Sequence, residues 1–190
     1  MKKLVIALLA LGVPIVLLSS AAVEGQVVKK MAGPGVKQAV AVIHGFGESP
    51  AKGVVRFTVT DEGVEISGEV SGLKPGKHGF HIHEFGDCSS GDPKCHGGHF
   101  NPDKQKHGGP EDAERHVGDL GNISANGRGI AVIHMRDKQI ALSGPRSIIG
   151  RAVIIHAKAD DLKSQPSGDA GDRIAGGVVG IAGSMADHKK

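Results

Sequence analysis

Aromatic residues are scarce in this sequence, which has five Phe and no Trp or Tyr among its 190 residues. Single-stranded nucleic acid usually binds by stacking its bases on such rings, so this class of partner is disfavoured. The formal net charge is only +3, and no dense Lys/Arg tract offers the footprint that binding to a polyanion needs. We therefore expect no nucleic-acid partner.

Long hydrophobic runs are also absent, apart from one near the N-terminus. Lys2 and Lys3 precede the apolar stretch Leu4–Leu18, which small residues follow at Ser19–Ala22. A bilayer span takes about 20 apolar residues, whereas a charged start, a shorter apolar run and small residues are typical of a secretory signal. We predict a signal peptide over residues 1–22, a periplasmic or extracellular protein, and no stable membrane span after signal removal.

Glycine is abundant instead: 30 residues are Gly, about twice the usual share of roughly 7%, which disfavours a helical bundle. Apolar and polar residues alternate at strand spacing, as where Val55 and Phe57 lie opposite Arg56 and Thr58. Such runs, separated by Gly- and Pro-containing turns, predict an all-β antiparallel sandwich or barrel. The eight predicted strands are Val40–His44, Val54–Thr60, Val64–Val70, Gly79–Glu84, Gly129–Met135, Gln139–Ser143, Ala152–His156 and Ile174–Ile181.

Two long stretches without predicted strands interrupt this pattern, residues 85–121 and 157–173. Long loops inside a compact domain are usually functional or disordered, and the first loop is rich in His, so we interpret it as functional. We divide the rest of the chain into a flexible lead-in at residues 23–37, one domain at residues 38–184 and a polar tail at residues 185–190.

Histidine is the outlying residue type, with 11 copies. Side chains two apart on a strand point the same way, so His81 and His83 share a face. Imidazole favours Zn, Cu, Ni and Fe over Mg and Ca. The candidate metal ligands in and around the first loop are His81, His83, His99, His107, His116, Asp119 and His156.

These seven candidates fit more than one arrangement. Three His and one Asp would fill a tetrahedral, structural zinc site, and four His could hold copper with one face open. Seven residues make eight contacts only if one imidazole bridges two ions. We expect structural or solvent-exposed roles, without metal, for His44, His96, His134 and His188.

Several long motifs, in order along the chain, resemble the copper/zinc superoxide dismutase family in its exported, bacterial type. They are His78–Asp87, Gly98–Pro102, His107–Pro110, Arg115–Asn122, Gly150–Arg151, His156–Asp161 and Gly171–Arg173. The resemblance covers about residues 40–182 and implies an eight-stranded Greek-key β-sandwich or barrel. It also implies an enzyme with copper and zinc as cofactors that disproportionates superoxide to O₂ and H₂O₂, as antioxidant defence outside the cytoplasm.

The resemblance also assigns roles to individual residues. It places His99 as the imidazole shared by both ions, leaving copper and taking up a proton during the cycle. It places Asp160 between His81 and His107, and Arg173 beside the open face of copper, where a guanidinium can pair with an anionic substrate. The implied copper ligands are His81, His83, His99 and His156, and the implied zinc ligands are His99, His107, His116 and Asp119.

The cysteines depart from the family, whose members usually staple the long loop to the last strand with a disulfide. Cys88 lies in the loop, but the expected strand position holds Gly176, and the second cysteine is Cys95 in the same loop. An exported protein with two cysteines favours pairing, so we predict a local Cys88–Cys95 bridge. Free thiols, or a metal contact by Cys95 beside His96, are the alternatives. The resemblance leaves a monomer and a homodimer both open.

Two other functions compete with the enzyme. One is a related protein that stores or delivers copper and zinc without turnover, and the other is a partner-binding sandwich that keeps only zinc. Arg173 and Asp160 favour the enzyme, because metal storage has no evident need for Arg173.

Overall fold

The computed structural model describes residues 35–183, apart from residues 88 and 90. Residues 1–22, most of the predicted lead-in and the tail at residues 185–190 lie outside this part, so their assignments stay predictions. No helix in the described part is long and apolar enough to cross a bilayer. A 3-10 turn spans Pro93–His96. The strands are β1 Gln38–Gly45, β2 Lys52–Thr60, β3 Gly63–Ser71, β4 Gly76–His83, β5 Asp119–Ala125, β6 Ala131–Asp137, β7 Ala152–His156 and β8 Arg173–Ile181.

The eight strands form one closed antiparallel barrel in the order β1-β2-β3-β6-β5-β4-β7-β8. Ala41 of β1 pairs with Val55 of β2 on one side and with Val179 of β8 on the other, so the first and last strands close the barrel. The connections from β3 to β4 and from β6 to β7 cross to non-neighbouring strands, as in a Greek key. The predicted all-β, eight-stranded antiparallel fold is confirmed.

The barrel core follows the apolar alternation of the strands. Val55 and Phe57 of β2 are fully buried while Arg56 between them is exposed, as predicted. On β1 the inward face carries Ala41 and Ile43, together with Ala39. Burying one Ile or Phe side chain contributes roughly 1.5–3 kcal/mol, so this inner face stabilises the barrel and fixes the register of each strand.

One predicted strand is absent from the described part of the chain, and one observed strand was not predicted. Gln139–Ser143 forms no strand, because the Asp137 carboxylate accepts hydrogen bonds from the first two amides of the segment at 2.7 and 2.8 Å and turns the chain at the end of β6. Its apolar alternation arises because Ile140 and Leu142 are buried. Conversely, β5 begins inside the predicted loop 85–121, where Gly121, with φ of 77°, obscures the strand pattern.

Candidate metal centre

The seven predicted ligand residues come together in two buried groups that share one histidine. Within each group the ligand atoms all lie within 4.8 Å of one another. The first group is His81, His83, His99 and His156, and the second is His99, His107, His116 and Asp119.

Strand pairing brings these residues together although they are far apart in sequence. β4 carries His81 and His83 near its end, and β7, which pairs with β4, ends at His156. His99 forms an isolated bridge with His83, and Asp119, the first residue of β5, pairs with His81. The register of β4 with its two neighbours therefore sets the position of both groups.

His83 and His156 each have one ring nitrogen engaged by a backbone carbonyl. His83 Nδ1 donates to the Gly97 oxygen at 3.1 Å, and His156 Nδ1 donates to the Gly171 oxygen at 3.0 Å. These bonds fix the orientation and tautomer of both rings. The two remaining Nε2 atoms then face each other at 3.3 Å, and a cation between them would satisfy both lone pairs.

His81 and His99 each have one ring nitrogen next to a carboxylate and one ring nitrogen without a hydrogen-bond partner among the described residues. His81 Nε2 lies 2.8 Å from Asp160 Oδ2, and His99 Nδ1 lies 2.7 Å from Asp119 Oδ1. His81 Nδ1 and His99 Nε2 are buried and have no hydrogen-bond partner in the described part of the chain. Buried polar atoms almost always have a partner, so these two nitrogens fit a metal ion in the first group.

The second group surrounds one carboxylate with three imidazoles. His116 Nδ1 lies 3.1 Å from Asp119 Oδ1, and His107 Nδ1 lies 3.1 Å from Asp119 Oδ2 without hydrogen-bond geometry. With His99 Nδ1, the group offers three ring nitrogens and one carboxylate oxygen that lie within 4.8 Å of one another. That donor set fits tetrahedral zinc.

Asp160 connects the two groups. Its carboxylate lies between His81 Nε2 at 2.8 Å and His107 Nε2 at 3.0 Å, as the sequence resemblance implied. The Leu162 amide donates to Asp160 Oδ1 at 2.7 Å and holds the carboxylate in place. Gly168 leaves room for it, because a Cβ there would lie 1.8 Å from Asp160 Oδ1.

The protonation of the rings agrees with a role as ligands. Burial lowers the pKa of His81 to about 3 and that of His156 to about 4, and it lowers the pKa of His83 well below its usual value. These rings are neutral at neutral pH, as metal binding requires. His107 differs: burial disfavours its charged form, but the adjacent Asp119 and Asp160 carboxylates outweigh burial and raise its pKa to about 9.

Arg173 lies at the edge of the first group. It is the first residue of β8 and pairs with His156 of β7, after a register shift between Ile155 and His156. Its guanidinium donates to the backbone oxygens of Pro93 and Gly97, and the Gly97 oxygen also accepts from His83. The long loop therefore fixes Arg173 next to a ligand of the first group.

Two buried polar residues that support the centre were not singled out from the sequence. Arg115 donates to the backbone oxygens of His116 and Asp119 at 3.1 Å each and pairs with the buried Asp137 carboxylate. It therefore holds the chain that carries two members of the second group. A lone Arg or Asp in a loop carries no local signal, because their pairing depends on the fold.

His78 is the second such residue, and its burial is nearly complete. Its ring nitrogens lie 2.7 Å from the His156 oxygen and 2.8 Å from the Lys74 oxygen. This contact ties the backbone of a metal-group residue to the start of β4. Of the histidines expected to have no metal role, His44 and His134 are exposed, whereas His96 is buried.

The structure describes only one of the two cysteines in the predicted Cys88–Cys95 bridge. Cys95 carries a free thiol in the structure, and its Sγ contacts the Asp87 backbone oxygen. Cys88 lies outside the described residues, so the pairing of the two cysteines stays a prediction. Cys95 belongs to neither metal group.

Comparisons with known proteins agree with this geometry. Residues 51–179 match the family described as copper/zinc superoxide dismutase. The chain is 50% identical to Superoxide dismutase [Cu-Zn] A of Xenopus laevis over 151 residues, which cover 76% of this chain and 97% of that protein. It is 47% identical over 160 residues to Superoxide dismutase [Cu-Zn] 2 of Mesembryanthemum crystallinum, covering 80% and 99%. The crystal structure of the clock protein EA4 superposes with a TM-score of 0.73 at 45% identity, covering 79% of this chain and 98% of that one.

Proposed function

Because this chain belongs to the copper/zinc superoxide dismutase family and is an oxidoreductase acting on superoxide, we propose how its residues share the work. The four histidines of the first group would hold copper, and the three histidines and Asp119 of the second would hold zinc. His99 belongs to both groups: its Nε2 faces the first group, and its Nδ1 lies next to Asp119 of the second. The observation that carries this assignment is that every first-group ring has its other nitrogen engaged elsewhere, so one donor atom per ring remains.

Copper, when bound, supplies one-electron oxidation of one superoxide and one-electron reduction of the next. Arg173 supplies the docking position for this anion. A guanidinium has five N–H donors, and two go to the Pro93 and Gly97 oxygens. The remaining donors are available to an anion beside His83, and the two carbonyl contacts hold the guanidinium so that it does not have to reorganise.

Disproportionation of two superoxide anions to O₂ and H₂O₂ consumes two protons. His99 Nε2 is suited to hold and deliver one of them, because it has no hydrogen-bond partner among the described residues and faces the first group. Its Nδ1 stays next to Asp119, which keeps the ring oriented while Nε2 gains and loses the proton. Water supplies the second proton.

The test is to load the mature chain with copper and zinc and to measure metal content together with superoxide turnover. About one copper and one zinc per chain with fast, cyanide-sensitive turnover is expected. Arg173→Gln should keep both metals and lose most turnover, because the site loses the charge that docks the anion. Full metal occupancy without turnover in the unchanged chain would instead favour the storage role.

We also propose that the protein acts outside the cytoplasm, as an antioxidant enzyme. The support is the sequence of residues 1–22, with Lys2 and Lys3 before an apolar run that is too short to span a bilayer. Mass spectrometry of the protein from the periplasm of a bacterial expression host should give a mature N-terminus near Val23. Recovery of the uncut chain in the cytoplasm alone would overturn this.

The homodimer likewise stays a prediction. Phe85 is half exposed and Val178 of β8 is 43% exposed, and Gly86 packs against Val178, since a Cβ on Gly86 would lie 3.0 Å from Val178 Cγ1. Such an apolar patch suits a second copy of the chain. Light scattering should give the dimer mass for the unchanged chain and the monomer mass for Phe85→Glu, and a monomer in both cases would reject the homodimer.

A further inference from the structure

Phe46 lies against Gly176, a position of β8 without a side chain. A Cβ built on Gly176 would lie 2.8 Å from Phe46 Cζ and 2.7 Å from Ile154 Cδ1. The Phe46 amide donates to the Ile174 oxygen of β8 at 2.9 Å. Backbone and ring together therefore hold Phe46 against β8.

The same ring contacts the long loop. Phe46 stacks on His96, with the ring centroids 5.7 Å apart and the planes inclined by 30°. His96 is 1% exposed, its Nδ1 lies 3.2 Å from the Phe85 oxygen, and the Phe85 amide donates to the His96 oxygen at 3.0 Å. The stack therefore joins β8, through Phe46, to the loop.

His96 is the last residue of the 3-10 turn Pro93–His96 and directly precedes Gly97. The oxygens of Pro93 and Gly97 are the two acceptors that hold Arg173, and the Gly97 oxygen also orients His83. Any shift of the turn would move the acceptors of both side chains. Besides the hydrogen bonds of Arg173 itself, the Phe46–His96 stack thus ties these acceptors to the strand on which Arg173 lies.

We propose that Phe46 and His96 are positioning residues for Arg173 and His83. They form an aromatic clasp that joins the long loop to β8 at Gly176, the strand position where family members usually carry the disulfide cysteine. The clasp itself contains no sulfur, so we expect it to hold the turn whether Cys88 and Cys95 are oxidised or reduced. The effect on anion docking rests on the proposed function of Arg173, whereas the effect on loop order does not.

Phe46→Leu removes the ring and keeps an apolar side chain. Phe57→Leu is the matched control, because it makes the same change at a fully buried position of β2 in the barrel core. In the metal-free protein, Phe46→Leu should speed hydrogen exchange at the amides of Cys95 and Gly97 by roughly two- to tenfold. Phe57→Leu should lower thermal stability without selectively exposing these two amides.

Two further variants separate the clasp from other causes. Cys88→Ser/Cys95→Ser should keep the exchange protection of the turn, because no disulfide is needed to hold it. His96→Phe should keep protection and His96→Ala should lose it, which distinguishes ring stacking from the His96 hydrogen bond to Phe85. Unchanged exchange in Phe46→Leu, or lost protection in the cysteine-free variant, would overturn the clasp.

The second readout is the affinity of the metal-loaded protein for azide, a monovalent anion. Phe46→Leu should weaken azide binding, and Arg173→Gln should weaken it further. If Phe46→Leu loosens the turn but binds azide like the unchanged chain, the positioning role is wrong. If Arg173→Gln also binds azide normally, the proposed function of Arg173 fails, and the exchange measurements still decide whether the clasp holds the loop.

Discussion

Gly168→Ala, a substitution outside both sets of ligands, should lower the affinity of both metal sites. A Cβ on Gly168 would lie 1.8 Å from Asp160 Oδ1 and 2.7 Å from His107 Nε2. To reach even a 3.0 Å separation, the Asp160 oxygen must retreat by about 1.2 Å. The hydrogen bond from His107 Nε2 to this oxygen, now 3.0 Å long, would then pass the length at which it holds the ring. Because Oδ2 of the same carboxylate lies 2.8 Å from His81 Nε2, displacement of the carboxylate should disturb that contact as well.

The expected loss has two separable parts. Gly168 has a φ of 67°, so any Cβ costs about 1–2 kcal/mol of stability from backbone strain. Loss of an outer partner of a metal-ligating His typically lowers metal affinity by about 10–100-fold. Gly150→Ala is the matched control, because Gly150 has a φ of 79° and a Cβ there would meet nothing within 4 Å.

The assay is a titration of the metal-free protein with Zn²⁺ against a chromogenic chelator, with thermal unfolding measured in parallel. Both variants should lose about 1–2 kcal/mol of stability from backbone strain, and Gly168→Ala should lose more because it also displaces Asp160. Only Gly168→Ala should lose about 10–100-fold in zinc affinity. The copper affinity should fall as well, because His81 loses the same partner. Gly168→Ala with the zinc affinity of the unchanged chain would refute the argument, as would an equal loss of affinity in Gly150→Ala.

Three further predictions concern stability. Arg115→Met leaves the buried Asp137 carboxylate without its ion-pair partner and should lower the free energy of unfolding in urea by about 3–5 kcal/mol. Arg136→Met breaks an exposed pair with Glu62 and should lower it by less than about 1 kcal/mol. Equal losses in the two variants would contradict this prediction. Gly176→Ala should lower stability by about 1–3 kcal/mol, because the added methyl group overpacks against Phe46 and Ile154. Gly180→Ala should be better tolerated, because its Cβ would have its nearest neighbour at 3.9 Å. The melting temperature of Gly176→Ala should therefore be the lower of the two. Because the pKa values of His81 and His156 fall from 6.5 to about 3 and about 4 on folding, the unfolded chain binds more protons in this range, so the metal-free protein should be stable above pH 6.5 and lose stability as the pH falls toward 4. The pKa of His107 is raised to about 9, so this residue contributes stability below pH 6.5 that is lost as the pH rises through 9. The free energy of unfolding in urea, measured from pH 4 to 10, should therefore be largest near neutrality. A flat profile would reject both pKa shifts.

Local pattern was enough to predict most strands and all seven residues of the two groups. Val55 and Phe57 reveal their strand by alternation, and the spacing of His81 and His83 places both on one face. The sequence could not separate a strand from a buried turn at Gln139–Ser143, because burial of Ile140 and Leu142 gives the same alternation in either structure. The turn depends on the Asp137 carboxylate, whose hydrogen bonds leave no periodic trace.

The contacts that support the metal centre were the least predictable part. Arg115 meets Asp137 across 22 residues, and His78 meets the His156 backbone across 78. Neither contact follows from spacing, because each requires the register between strands that are distant in sequence. Phe46 is a similar case, since its role arises from the missing side chain at Gly176 and from the position of His96, which lie on separate elements.

The placement of Asp160 between His81 and His107 links two equilibria in a thermodynamic cycle. Zinc binding to the second group would fix His107 and with it Asp160, which prepares the His81 ring for the other ion. The free energy around such a cycle is zero, so whatever factor zinc adds to the affinity for copper, copper must add to the affinity for zinc. The order in which the two ions arrive therefore changes the path to the loaded protein but leaves its final stability unchanged.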